Sequence, residues 1–221
     1  MVNRHPDSEL LVEYTSGSLS LAPSVSVTTH LQFCENCSRV VESLKHIGGD
    51  ILEDAEAIPV SADLLEKVFL GIDESPKDPG TDFSVTGKAV DDVARVLPRY
   101  VQHLLPEGKL QWRFLSPSLR HATISVGEDR HELALHRIKA GGKSPEHNHR
   151  GQEITVVLTG CFSDEGGVYQ PGDFVVREPG DVHRPFAAQN EECICLCVLS
   201  APIKLTGFKQ VFNPFLGFSP S

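Results

Sequence analysis

The sequence predicts a multidomain α plus all-β protein, with a small helical domain, an acidic connector and a β-barrel in that order. Three observations carry this reading. Apolar residues recur at helical spacing through residues 8–70, and give way from Leu110 onward to short β-branched runs. Between them lies Asp73-Glu74-Ser75-Pro76-Lys77-Asp78-Pro79-Gly80-Thr81-Asp82, whose composition marks a linker. The expected units are residues 1–72, 73–107 and 108–221. The chain has 221 residues, 40% hydrophobic and 23% charged, a globular composition that excludes a disordered or fibrous protein.

The first helix is expected over residues 8–18, with Leu10, Leu11 and Tyr14 at helical spacing. A second is expected over 25–47, where Leu31, Val40, Val41 and Leu44 form an apolar stripe that Gly48-Gly49 ends. A third covers 61–70, closed by Gly71. A fourth covers 90–105, kinked or divided at Pro98. The strand-like runs are 122–126, 131–138, Glu153–Thr159, 173–177 and Cys193–Leu199. Gly141-Gly142, Gly160, Gly166-Gly167, Pro171-Gly172 and Pro179-Gly180 punctuate them, the pattern of a sandwich or barrel, here over about 110–206.

Thirty acidic and twenty basic residues give a formal net charge of −10. Residues 50–92 hold twelve acidic residues against Lys67, Lys77 and Lys88, a net of −9. That segment is either a solvated connector or a surface for a basic partner such as a DNA-binding protein. No run of Lys and Arg offsets the overall charge, which argues against direct nucleic-acid binding. No apolar run approaches the ~20 residues that cross a bilayer, and the first residues carry no apolar leader. The expected location is therefore the cytoplasm. In that reducing setting, six cysteines and ten histidines point to metal ligation before disulfides.

His30-x-x-x-Cys34-x-x-Cys37 falls within the expected second helix, where offsets of four and seven return to one face. Two thiolates and an imidazole are three of the four ligands of tetrahedral zinc. His5 or His46 can supply the fourth. A thioredoxin-like pair is the other use of C-x-x-C, but no βαβ context surrounds this one. With the upstream His5 and the helical setting, the motif resembles the zinc-binding anti-sigma domain family. The resemblance implies zinc held by His5, His30, Cys34 and Cys37, and a sigma factor of the extracytoplasmic-function type as partner.

In the β region, Gly141-(x5)-His147-x-His149-(x3)-Glu153-(x6)-Gly160 spans a strand-turn-strand junction, and Pro179-Gly180-Asp181-Val182-His183 supplies a further turn and imidazole. Three imidazoles and a carboxylate on the inner wall of a barrel suit zinc, iron, manganese or nickel. These segments resemble the two motifs of the cupins, a jelly-roll or double-stranded β-helix family. Ala187 stands where the second motif often ends in Asn. The resemblance implies metal ligands at His147, His149, Glu153 and His183. Cupins often dimerise through the barrel, which makes a homodimer the oligomeric state to test.

Both signatures in this order are similar to the ChrR-type anti-sigma factors. That resemblance implies a non-enzymatic regulator whose N-terminal domain inhibits the sigma factor and whose cupin-like domain is needed for release by singlet oxygen or related oxidants. The competing expectation is a metal-dependent cupin enzyme, a dioxygenase or isomerase, with a helical appendage; a metal-storage or structural cupin is a third. Cys193, Cys195 and Cys197 alternate with Ile194, Leu196 and Val198, so the thiols share one face, as core side chains or as an oxidisable set. Cys161 is expected in the core. His103, His121, His131 and His136 are expected to be structural. Coupling between the two parts is expected through the linker and the helix after Gly80.

Overall fold

The structure, a computed structural model, describes residues 2–74, 93, 99–105, 110–206, 218 and 220. Four helices open the chain: α1 (Ser8–Ser16), α2 (Leu21–Leu31), α3 (Glu35–Glu53) and α4 (Leu64–Glu74). A short α5 (Arg99–Leu104) precedes the strands. The rest of the expected helix 90–105 and most of the linker lie outside the described residues, as does the side chain of His103. Asp7 caps α1 by accepting from the Leu10 N–H at 2.8 Å, and Gly17 (φ 75°) closes it in the left-handed region that glycine enters freely.

The expected single helix 25–47 is two helices. α2 ends at Leu31, and Cys34 (φ −123°, ψ 96°) is the N-cap of α3 rather than a helical residue. Its Sγ accepts from the Cys37 N–H at 3.5 Å, so the thiol takes the role of a capping side chain. Neither Gly48-Gly49 nor Gly71 stops its helix; α3 continues to Glu53 and α4 to Glu74. An interior glycine costs a helix only about 1 kcal/mol, which flanking good helix formers outweigh.

The β region is antiparallel throughout its named pairings. A six-stranded sheet runs β1 (Arg113–Ser116), β2 (Leu119–Thr123), β3 (Glu132–Ile138), β11 (Cys193–Leu199), β5 (Glu153–Thr159), β8 (Phe174–Arg177). Two three-stranded sheets complete the barrel: β10 (Phe186–Ala187), β6 (Phe162–Asp164), β7 (Gly167–Tyr169), and β12 (Lys204–Leu205), β4 (His147–Asn148), β9 (Val182–His183). The expected strands Glu153–Thr159 and Cys193–Leu199 match their bounds. Seven short strands carried no sequence pattern that separated them from turns.

Strands β5 and β11 are buried on both faces, which is why they read as nearly continuous apolar runs. Ile154, Val156, Leu158, Ile194, Leu196 and Val198 form one core with Leu11, Val25, Val27 and Val41 of the helices. On the opposite face Val157, Cys193, Cys195 and Cys197 join Leu119, Ile138, Phe162 and Tyr169 inside the barrel. The helices cover one face of the sheet. α2 lies centrally against β5 and β11, and the barrel caps it: the Ala22 N–H donates to Glu128 Oε2 at 2.7 Å. Cys161 is half-buried, beside Cys193 and Glu191, not a core residue.

Candidate metal centres

The helical ligand set is assembled at the junction with the barrel. His30 Nε2, His5 Nδ1, Cys34 Sγ and Cys37 Sγ belong to residues whose ligand atoms lie within 4.8 Å of one another. Both sulfurs stand 3.4 Å from His5 Nδ1. Roughly 3.5 Å is the S-to-N edge of a tetrahedron with Zn–S near 2.3 Å and Zn–N near 2.0–2.1 Å. His30 Nδ1 donates to the Gly172 carbonyl at 2.6 Å, which leaves Nε2 buried and without a hydrogen-bond partner, aimed at the thiols. Burial lowers the His30 pKa and favours the neutral ring that a metal requires. Burial, together with the adjoining Cys34, pushes the Cys37 thiol up to about 12, and a cation at this point would favour the thiolate form. The residues fit a zinc ion. His46 lies apart on α3, exposed beside Glu42.

Three elements build the barrel set. β4 and β9 pair His147 with His183, and their Nε2 atoms face one another at 3.1 Å. Glu153 opens β5, with its Oε2 3.4 Å from His149 Nε2 and 3.6 Å from His183 Nε2. All four residues are buried and their ligand atoms lie within 4.8 Å of one another. His147 Nδ1 is anchored on the Pro145 carbonyl and His183 Nδ1 on Asp164 Oδ2, each at 2.9 Å, so both Nε2 atoms point inward. His149 has both ring nitrogens buried without a hydrogen-bond partner. Such an orphaned polar set in a barrel interior is costly unless a cation satisfies it, and the donor set fits a divalent metal.

The charges divide unevenly. Burial works against the charge on His183, but hydrogen bonds to Asp164 and Glu153 outweigh it and raise its pKa to about 9. Burial also disfavours ionised Glu153, yet the His183 hydrogen bond and the neighbouring imidazoles hold it near 2. Burial lowers His149 to about 4. A cavity of about 240 Å³, lined by Phe114, Leu199, Ile203 and Phe218 among others, opens onto His147, Glu153 and His183.

Sequence reasoning did not find the support around this set. Arg177 stands opposite Glu153 in the β5–β8 register and donates to Asp164 Oδ2 at 2.6 Å and to the Tyr169 hydroxyl at 2.7 Å. Nor did it find the clasp between the two sets. Asp173 Oδ1 accepts from the Asn3 and Arg4 N–H groups at 2.7 and 3.0 Å, and the Phe174 N–H donates to the Arg4 carbonyl at 3.0 Å. His5 is the next residue. Gly172 (φ 91°) allows the contact, since a Cβ there would lie 2.6 Å from Phe33 and 2.7 Å from Val2. His121 and His136, expected to be structural, lie with tilted rings 5.3 Å apart and hydrogen-bond at 3.1 Å.

Fold and ligand sets together define a cupin-like barrel with a His/Cys helical domain on one face. Residues 102–202 match the family model of the ChrR cupin-like domain. Over its whole length the chain resembles the ChrR-type anti-sigma factors. It is 29% identical to the anti-sigma-E factor ChrR of Cereibacter sphaeroides over 215 residues, 97% of this chain and 98% of that protein. Among solved structures it is similar to ChrR in the crystal structure of the Rhodobacter sphaeroides SigE complex with that anti-sigma factor. That match has a TM-score of 0.73 and 28% identity, covering 90% of this chain and 99% of that one.

Proposed function

We propose that this chain is a cytoplasmic, non-enzymatic anti-sigma factor. Its zinc-bound helical domain sequesters an extracytoplasmic-function sigma factor, and the metal-bound barrel releases that factor in response to singlet oxygen or a related oxidant. The observation that carries the reading is full-length similarity to ChrR, the partner of SigE in a solved complex, in a chain that carries both ligand sets.

The exposed surface supports it. Along α4, Leu65 is 67%, Phe69 58% and Ile72 62% exposed, and Ile47, Ile51 and Leu52 of α3 are exposed as well. A helical surface this apolar marks a protein interface. Among the described residues no helix is long and apolar enough to cross a membrane.

A metal in the barrel supplies a Lewis-acidic centre, redox-active if it is iron, facing the cavity. The protein's own part is to hold and transmit. β8 carries Arg177, opposite Glu153, at one end; next to its other end Gly172, Asp173 and Phe174 grip His30 and the backbone preceding His5. A displacement of β8 by a changed barrel would strain the helical ligand set directly. Release needs only a shift of a two-state equilibrium, at about 1.4 kcal/mol per tenfold change in affinity.

Co-expression with a sigma factor encoded beside the chain's own gene tests the reading. The expected result is a stable complex containing zinc, lost in Cys34→Ser or Cys37→Ser. Failure of the unaltered chain to capture that sigma factor would overturn it.

A further inference from the structure

We propose that the barrel holds a second cation position beside the His147/His149/Glu153/His183 set, ligated by His136 Nδ1, Cys197 Sγ and a Glu153 oxygen. This inference does not rest on the sigma-factor reading.

Three adjacent strands bring these groups together. β11 pairs with β3 on one side and β5 on the other, so Cys197 lies diagonal to His136, which faces Cys195, and diagonal to Glu153, which faces Leu199. All three side chains project into the barrel, and their ligand atoms lie within 4.8 Å of one another. Cys197 Sγ and His136 Nδ1 are 3.3 Å apart, close to the 3.4 Å that separates each thiol from His5 Nδ1 in the helical set.

The surrounding hydrogen bonds fix the ring for ligation. His136 Nε2 meets His121 Nδ1 at 3.1 Å, and His121 Nε2 in turn lies 3.1 Å from Thr123 Oγ1 and 3.6 Å from Glu132 Oε1. Glu132 is buried beside it. When His136 Nε2 donates to His121 Nδ1, the lone pair of His136 is left on Nδ1, facing the sulfur. This is the relay that orients a metal-bound imidazole.

Glu153 belongs to both sets. A carboxylate has two oxygens, and bridging two cations about 3.5–4 Å apart is a use proteins make of one. The 240 Å³ cavity touches His121, His136, Cys197 and Glu153 as well as His147 and His183, so both positions share one access route and have room for further non-protein ligands. Thiolate, imidazole and carboxylate together favour a borderline divalent ion, zinc above magnesium or calcium.

Metal uptake by the full chain tests the proposal. Zinc-loaded wild-type protein should contain about one more equivalent by native mass spectrometry than either Cys197→Ser or His136→Ala. A second measurement needs no variant to fold. With the helical set filled by zinc, cobalt added to the wild-type barrel should produce a near-ultraviolet thiolate-to-cobalt band. A wild-type chain that takes up cobalt in the barrel with no such band would overturn the proposal and leave Cys197 and His136 as a thiol–imidazole hydrogen bond.

Discussion

The two ligand sets differ in how the chain assembles them and in what each can do. Three residues of the helical set lie within eight residues, and Cys34 and Cys37 sit at the start of one helix; two sulfurs and two imidazoles would fill a zinc tetrahedron with protein atoms. The barrel set draws on three strand regions, contains no sulfur, is buried throughout and faces a cavity. A closed, sulfur-rich site stabilises a fold, whereas an open nitrogen and oxygen site leaves a position for a small molecule to reach. On the proposed reading the first set holds the partner and the second responds, with β8 between them.

The largest expected effect is on that connection. Asp173 is fully buried and its two oxygens accept from the N–H groups of Asn3, Arg4 and Gln170. Asp173→Ala strands those donors and should lower stability by about 2–4 kcal/mol, read by chemical denaturation. It should also let the helical set exchange zinc faster while the barrel keeps its metal. Equal loosening of both sets would erase the contrast.

Asp164→Asn comes next. It removes the carboxylate that orients His183 and pairs with Arg177, and should weaken barrel metal affinity by about 10–100-fold while leaving the helical set unchanged. Competition with a chelator of known affinity checks this.

The smallest effect is a proton. In the metal-free barrel His183 is protonated up to about 9, above the ordinary 6.5. Its contribution to stability without metal is therefore complete below pH 6.5 and is lost as pH rises through about 9. Metal needs the neutral ring, so binding at neutral pH should expel about one proton and tighten as pH rises toward 9. Calorimetry in two buffers of different ionisation enthalpy measures that proton. In the helical set His30, whose pKa burial lowers, should add no such proton.

What the sequence made legible follows from locality. His30, Cys34 and Cys37 lie close along the chain, and His147, His149 and Glu153 share one motif, so their spacing alone singled them out. Glu153–Thr159 and Cys193–Leu199 were readable because strands buried on both faces are apolar at most positions. The break between α2 and α3 was not, because an apolar stripe continues across residues 32–34 and Cys34 caps with a thiol, outside the usual capping residues. Asp164, Arg177 and Asp173 carry no local signal; their partners are set by strand register and by a segment some 170 residues away. The same holds for His136, whose nearness to Cys197 depends on β3 and β11 being neighbours.

The most direct test of the division of labour uses Glu153→Ala in the purified complex with the sigma factor, exposed to singlet oxygen. The variant should bind the sigma factor as tightly as the unaltered chain and fail to release it. Normal release from a variant shown to have lost its barrel metal would contradict the account.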